Sequence, residues 1–420
     1  MARIPVHPLR AGFHLVSIVF GATLVGLITG AASWLLFEAL DQATRTRLDH
    51  GWLVWMLPPM ALSLGLVYHY GAGESRSGTS LVISRSLPSN TADVAVTVPY
   101  RLAPLIFGAT YAAQLVGASV GREGAAIQIG GSLTSLVSRP LRLQPRDTRL
   151  LLVAAMAGAF GGAFGVPVAG AVFGLEVQRT GRLRYEGLAP ALAASITADR
   201  VVEALGRSTP IVNIAVNLHG SLVLRLALVG LAAGIAARVF IALTAGVRHT
   251  LSRHLTWAPL RPVVGATATV ALMALVGRDY LGLSLPLIDG ALGGELADWW
   301  DPVLKILFTA VALGSGIPGG EVTPLFVVGA TLGSVLATPL GLPPVVGAAA
   351  AFAAVFGAAA NTPIACTVLA VELFGADMAV PAAIVCVVAF AVSPERGIYE
   401  GQSPGARKDL RASATPPPRS

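Results

Sequence analysis

The sequence predicts an all-α polytopic membrane protein, built as an inverted repeat of short, broken helices. The first observation is composition: 54% of the 420 residues are hydrophobic and 12% are charged, whereas soluble domains carry about 25% charged residues. The second is that 47 glycines and 28 prolines interrupt the apolar segments, several of which are shorter than the ~20 residues of a full span. The third is an internal repeat, which is typical of transporters.

The chain divides into three parts by composition. Residues 1–15 form a basic, proline-containing lead that we expect in the cytosol, and residues 16–402 form the membrane domain, with halves at about 16–205 and 221–402. Residues 403–420 are rich in Pro, Ser and Arg and are predicted to be a disordered cytosolic tail, which leaves no room for a regulatory C-terminal domain. Basic residues between the apolar segments indicate cytoplasmic loops, and both termini are predicted to be cytoplasmic.

The repeat relates residues 154–167 to residues 350–363, both of which are rich in Ala and Gly and end in proline. Nine residues after each proline comes a glutamate, Glu176 in the first copy and Glu372 in the second. Each copy also follows a glycine-rich loop that bears a glutamate. Matching broken helices in two halves predict a substrate site between them. We expect Glu176 and Glu372 to be structural groups at helix ends.

Glu123 stands between two glycines, in the sequence G-R-E-G at 121–124, and opens an apolar run. A carboxylate in such a position is expensive to bury in a membrane and therefore indicates function. The first N–H groups of a helix have no intrahelical partner and attract anions. A side chain that fills this position when ionised and leaves it when protonated would be a proton-sensitive gate. The alternative is a glutamate that caps a core helix.

Two further loops have a composition suited to close contact with a small anion. Residues 71–81 are rich in Gly and Ser and lead into a short helix, and residues 314–325 carry four glycines before a second helix start. Small residues let the backbone approach a ligand, and hydroxyls donate hydrogen bonds without carrying charge. The alternatives are a flexible surface loop and a plain turn. Tyr399 follows the last apolar segment, where it is either a donor to the anion or an aromatic anchor at the membrane interface.

Other classes of function find little support in the sequence. Residues 117–121 match the pattern G-x-S-x-G around Ser119, but no strand precedes this serine and the sequence places no base beside it. The histidines lack the spacing of a metalloprotease, so we predict no enzyme activity, no metal and no cofactor. The basic runs are short and lack interleaved aromatics, which argues against nucleic acid as a partner.

Taken together, these motifs resemble the CLC family of chloride channels and proton-coupled anion antiporters, over residues 16–402. The resemblance rests on G-R-E-G at 121–124, G-I-P-G-G at 316–320, the two repeat segments and the late tyrosine. It implies the CLC fold, which is an inverted repeat of tilted, broken and partly re-entrant helices. It also implies one anion path per subunit and a homodimer in a lipid bilayer. Within the family, the segment G-G-E-V-T-P-L-F at 319–326 is similar to the bacterial fluoride-exporting branch, which implies the bacterial inner membrane. Chloride-handling members usually carry an apolar residue where Glu321 stands and Phe where Val322 stands.

The resemblance also assigns roles. It makes Glu123 the gating glutamate and Glu321 a second carboxylate linked to protons or fluoride. No residue is assigned to the separate internal proton glutamate of the chloride antiporters, and Thr79 departs from the Asn or Met that fluoride members often have. The implied anion-binding residues are Gly78, Thr79, Ser80, Arg122, Gly124, Gly320, Val322, Thr323 and Tyr399.

The implied function is fluoride/proton antiport that exports fluoride from the cytoplasm. Fluoride is small and strongly hydrated, so a selective site must replace its water with several short hydrogen bonds, and ionised acceptors form the strongest ones. Chloride is larger and loses its water more easily. The alternative within the same fold is a chloride/proton antiporter or a chloride channel.

Overall fold

The computed structural model describes residues 8–88, 96–209, 211–216 and 220–403. Within these ranges the regular structure is helical, and the β-type pairing consists of two isolated bridges. The prediction of an all-α protein is confirmed. Residues 1–7 of the predicted lead and 404–420 of the predicted tail lie outside the described residues, and residues 8–15 belong to the first helix, which begins at Pro8.

Eighteen α-helices occupy the described residues, nine in each half. Those of the first half are α1 (Pro8–Asp49), α2 (Leu57–Gly71), α3 (Gly78–Ser86), α4 (Leu102–Leu115), α5 (Glu123–Leu133), α6 (Ser135–Ser138), α7 (Pro145–Phe164), α8 (Pro167–Glu176) and α9 (Leu188–Ala204). Those of the second half are α10 (Gly220–His254), α11 (Leu260–Val276), α12 (Leu285–Gly293), α13 (Asp301–Ser315), α14 (Val322–Ala337), α15 (Pro344–Phe352), α16 (Ala354–Ala360), α17 (Pro363–Phe374) and α18 (Ala379–Val392).

Four helical segments are long and apolar enough to cross a membrane, namely 14–49, 51–71, 145–164 and 220–254. The others are shorter, and α3, α5 and α8 have only 9, 11 and 10 residues. Helices of this length cannot span a bilayer alone and are stable in it only when protein surrounds them. The structure therefore has the broken helices that the glycines and prolines predict.

The same helix break occurs in both halves. Gly165 ends α7 in the left-handed conformation at φ +67°, and two residues later Pro167 starts α8. In the second half Asn361 ends α16 at φ +59°, and Pro363 starts α17. Gly and Asn adopt this conformation most readily, and proline suits the first helical position because its missing N–H is not needed there. The repeated sequence thus encodes a repeated break.

Close packing of the long helices also repeats. A Cβ atom added to Gly26 on α1 would lie 2.6 Å from the carbonyl oxygen of Ala194 on α9. In the second half, a Cβ atom on Gly234 of α10 would lie 2.7 Å from the carbonyl oxygen of Ala389 on α18. Small residues let membrane helices approach closely. In lipid the hydrophobic effect does not drive helices together, so this close van der Waals packing stabilises their association.

Two glutamates tie the halves together reciprocally. The carboxylate of Glu176, at the end of α8, accepts hydrogen bonds from the two backbone N–H groups after Pro363, at 3.1 and 2.8 Å. The carboxylate of Glu372, on α17, accepts from the two N–H groups after Pro167, at 3.1 and 2.7 Å. Each glutamate therefore caps the helix start of the opposite half. This is the structural role at helix ends that the repeat predicts.

Candidate functional site

The site begins with a contact between two glycine loops. The N–H of Gly121 donates to the carbonyl of Gly320 at 2.5 Å, and the N–H of Gly320 donates to the carbonyl of Gly121 at 2.8 Å. A Cβ atom on Gly320 would lie 2.9 Å from the backbone nitrogen of Gly124, so a side chain there would collide with backbone. The glycines thus allow the starts of α5 and α14 to meet.

Glu123 lies in this contact with only 1% of its surface exposed. Its carboxylate accepts a hydrogen bond from the hydroxyl of Thr323 at 2.5 Å and from the backbone N–H of Thr323 at 3.3 Å. It also accepts from the backbone N–H of Arg122 at 3.2 Å. The carboxylate therefore occupies the N-terminal end of α14, where backbone donors and the helix dipole favour an anion.

The side chain of Arg122 is directed to a different group. Its guanidinium pairs with Asp41 at 3.2 Å, which also pairs with Arg207 at 2.7 Å, and both guanidiniums lie over the ring of Phe37. The Nε atom of Arg122 is buried without a hydrogen-bond partner and lies 3.5 Å from a carboxylate oxygen of Glu123. Arg122 thus supplies a positive charge beside the carboxylate, while one of its terminal nitrogens is engaged with Asp41.

A cavity of about 320 Å³ leads towards this contact from one face of the protein. Its walls come from the start of α3, the middle of α5, one side of α10, the loop before α14 and the segment after α18. The polar residues of the wall include Thr79, Ser80, Gln128, Glu321 and Tyr399. Arg76, Arg248 and Glu400 also line it, and the exposed ion pair between Arg248 and Glu400 lies towards solvent.

Thr79 connects the first loop to α5. Its hydroxyl donates to the carbonyl of Gly124 at 3.4 Å and accepts from the side-chain amide of Gln128 at 3.2 Å. Gly78 has φ +51°, and a Cβ atom there would come within 3.2 Å of the Gln128 amide. The positive φ and the close amide both favour glycine at this position. The interpretation of this loop as a surface segment therefore fails at its end, where Thr79 is buried, whereas Gly73, Glu74 and Arg76 before it are exposed.

Glu321 and Tyr399 are adjacent at the cavity wall. Both the hydroxyl of Tyr399 and one carboxylate oxygen of Glu321 are buried, and neither has a protein hydrogen-bond partner with good geometry. Buried polar groups are normally satisfied, and exceptions in a cavity wall indicate a place where a ligand or water binds. Tyr399 is 5% exposed, so it is a group of the interior and the alternative role of aromatic membrane anchor is wrong.

The predicted residues thus fall into two connected groups. Gly124, Gly320 and Thr323 meet around Glu123, and Val322 is buried beside them at the start of α14. Gly78, Thr79, Ser80, Glu321 and Tyr399 line the cavity. Sequence reasoning gave Gln128 no role, although an amide inside the apolar run that follows Glu123 was a visible signal.

Ser119 has a partner that the sequence did not reveal. The Nζ atom of Lys305 lies 3.0 Å from the Ser119 hydroxyl, and lysine serves as the base in some serine hydrolases. The expectation that no base stands beside this serine is therefore wrong. However, both residues have 0% exposure, so no substrate reaches the hydroxyl. Within the described part of the chain, no three His, Cys, Asp or Glu side chains are grouped to hold a metal ion.

Known proteins share this arrangement over most of the chain. Residues 59–394 match the model of the voltage gated chloride channel family. The chain is 39% identical to a chloride/fluoride channel protein of Pseudomonas syringae pv. tomato, over 93% of this chain and 87% of the relative. It is 25% identical to the H(+)/Cl(-) exchange transporter ClcA of Vibrio vulnificus, over 87% of this chain and 84% of the relative.

Two solved structures extend the comparison. The crystal structure of a CLC-type fluoride/proton antiporter matches with a TM-score of 0.89 and 30% identity, over 94% of this chain and 99% of that one. The structure of a slow cyanobacterial Cl-/H+ antiporter matches with a TM-score of 0.77 and 17% identity, over 90% of this chain and 94% of that one. At 17% identity, the second comparison shows a shared fold and nothing further.

Proposed function

The chain belongs to the voltage gated chloride channel (CLC) family, and from this membership we propose that it is a secondary active fluoride/proton antiporter that exports fluoride from the cytoplasm. Members of this family are membrane transporters and channels. The observation that carries the proposal is that the carboxylate of Glu123 accepts hydrogen bonds from both the hydroxyl and the backbone N–H of Thr323. A titratable group fills the place of an anion at the start of α14.

Exchange follows if the Glu123 carboxylate and an anion compete for the same donors of Thr323. While Glu123 is ionised, it accepts the hydroxyl and the N–H of Thr323 and excludes an anion from them. Protonation removes the charge that strengthens these bonds and frees the side chain to leave. Fluoride from the cavity then takes the vacated donors, and deprotonation of Glu123 displaces it again. Because one position serves a carboxylate and an anion in turn, proton movement and anion movement are coupled.

Fluoride is the proposed anion because the site combines several hydroxyl groups that can donate hydrogen bonds with a second carboxylate. The hydroxyls of Thr79 and Tyr399 line the cavity, and the hydroxyl of Thr323 bonds Glu123. Glu321 also lines the cavity and directly follows Gly320 in the chain. A protonated carboxyl donates a strong hydrogen bond to a small anion. The relatives named as a chloride/fluoride channel protein and as a CLC-type fluoride/proton antiporter are 39% and 30% identical to this chain.

The alternative is chloride/proton antiport or a chloride channel on the same fold, since a 25% identical relative is named for H(+)/Cl(-) exchange. Purified protein in liposomes loaded with fluoride or chloride separates these functions. We expect fluoride efflux accompanied by proton uptake, and slower chloride efflux. Chloride efflux at the rate of fluoride would reject fluoride selectivity, and anion efflux without proton movement would reject antiport.

Orientation and assembly are part of the proposal. We propose that the cavity mouth faces the cytoplasm of a bacterium, with both termini on the same side; Arg76 and Arg248 at the mouth support this orientation through the positive-inside rule. Apolar side chains on α8, α9, α17 and α18 remain exposed, namely Val168, Ile196, Ile364 and Val387. We propose that this surface forms a homodimer in the lipid bilayer. Cross-linking of cysteines introduced at Val168 and Ile364 tests it.

A further inference from the structure

Lys305 is a fully buried lysine in the middle of α13, with 0% of its surface exposed. A lysine inside a membrane protein is costly unless its charge is compensated. None of the described acidic side chains forms an ion pair with it; its partners are uncharged oxygen atoms instead. These are Ser119 Oγ at 3.0 Å, Tyr280 O at 3.2 Å, Gly282 O at 2.8 Å and Ser284 Oγ at 2.8 Å.

The four acceptors come from two loops, which Lys305 joins to α13. Ser119 belongs to the loop between α4 and α5, and the other three belong to the loop between α11 and α12. The Ser119 hydroxyl also bonds the hydroxyl of Thr309 on α13 at 2.9 Å. The N–H of Gly282 donates to the carbonyl of Gly117 at 3.2 Å. Lys305 is thus the centre of a polar clamp between the two halves.

Both clamped segments continue directly into the gate. Ser119 lies two residues before Gly121, and α13 ends at Ser315, five residues before Gly320. The bridge between Gly121 and Gly320 consists of two backbone hydrogen bonds and has no side chains that could pack. Its geometry therefore depends on what holds the two incoming segments.

We propose that Lys305 is a positioning residue for exchange: by holding the loop at Ser119 against α13, it sets the distance between the starts of α5 and α14. That distance decides whether the Glu123 carboxylate reaches Thr323. This inference rests on the proposed antiport. It assigns to Lys305 no contact with the anion or the proton, and it gives the G-x-S-x-G motif the role of a clamp point.

The test is a comparison of Lys305→Met with the unmodified protein in liposomes. Methionine keeps the unbranched chain but removes every hydrogen-bond donor of Nζ. Because several buried acceptors lose their donor at once, we expect fluoride efflux to fall about tenfold and the number of protons moved per fluoride to fall below its original value. This ratio is the decisive readout, since inactive copies lower both fluxes equally and leave the ratio unchanged.

Val303→Met on the exposed side of the same helix is the matched control, and we expect both fluxes and the ratio to stay unchanged. Ser119→Ala and Thr309→Val remove single members of the clamp and should lower the ratio less. If Lys305→Met does not fold, the same ratio measured on Ser119→Ala and Thr309→Val tests the inference. A normal ratio in every folded clamp variant would overturn the inference. The proposed function would fail differently, through an absence of proton movement in the unmodified protein.

Discussion

Thr323 donates both its hydroxyl and its backbone N–H to the carboxylate of Glu123, which lies 200 residues earlier in the chain. The two residues begin neighbouring helices of opposite halves, and the glycine bridge beside them leaves no space for other side chains. The hydroxyl oxygen and the carboxylate oxygen lie 2.5 Å apart, which is a short hydrogen bond. The function we propose requires that this contact forms when Glu123 is ionised and breaks when Glu123 is protonated.

Glu123→Gln is expected to abolish proton movement. The amide keeps the size of the side chain but neither gains nor loses a proton in the physiological range, so any remaining fluoride flux is uncoupled. Simultaneous recordings of fluoride and pH in liposomes measure this. Glu38→Gln, the same change on an exposed carboxylate of α1, is the control. Proton-coupled export that persists in Glu123→Gln would refute the assignment of the gate.

Thr323→Val removes the hydroxyl and keeps the backbone N–H and the shape of the side chain. A hydrogen bond to a charged group contributes about 1.5–3 kcal/mol, so we expect fluoride transport at limiting concentration to fall about tenfold. Thr323→Ser restores the hydroxyl and should recover most of the loss. Equal rates for the Val and Ser variants would mean that this hydroxyl does not bind the anion.

Glu321→Gln is expected to lower the number of protons moved per fluoride while fluoride efflux continues. The carboxylate is buried beside Tyr399 with one oxygen unpaired, and the amide keeps its size without its titration. Glu400→Gln, at the exposed rim of the same cavity, is the matched control and should leave the ratio unchanged. A reduced ratio in both variants would indicate an effect of general cavity charge.

Gly320→Ala is expected to abolish both fluxes, because the added Cβ atom would lie 2.9 Å from the backbone nitrogen of Gly124 and backbone cannot move aside cheaply. Gly108→Ala on α4 adds the same atom where nothing lies within 4 Å and should transport normally. Size-exclusion chromatography verifies that both variants fold. Normal transport by Gly320→Ala would show that the glycine contact tolerates separation.

Glu176→Ala is expected to destabilise the fold without altering coupling. It leaves two N–H groups at the start of α17 without their acceptor, and the loss should be about 3 kcal/mol. Thermal unfolding in detergent measures it. Glu372→Ala, the equivalent change in the other half, is the partner variant and should act in the same direction. A changed proton-to-fluoride ratio in the folded fraction would give Glu176 a role beyond capping.

The fold class and the repeat were predictable because they are written in short stretches of sequence. The helix breaks at Pro167 and Pro363 each require only a residue in the αL conformation followed by a proline. Both features can be recognised from a few neighbouring residues. Glu123 was identifiable for the same reason, since a carboxylate between glycines at the start of an apolar run is unusual in itself. Gln128 escaped notice because its role depends on the Thr79 hydroxyl, 49 residues away.

Sequence alone thus determined the membrane class, the doubled architecture, the places where helices start and the carboxylates available at those starts. The tertiary structure decided which groups meet: Glu123 with Thr323, Glu176 with the start of α17, and Lys305 with the oxygens of two distant loops. The physical reason is that helix starts and breaks arise from neighbouring residues, whereas a buried polar group takes its partner from whatever segment the packed halves bring within about 3 Å.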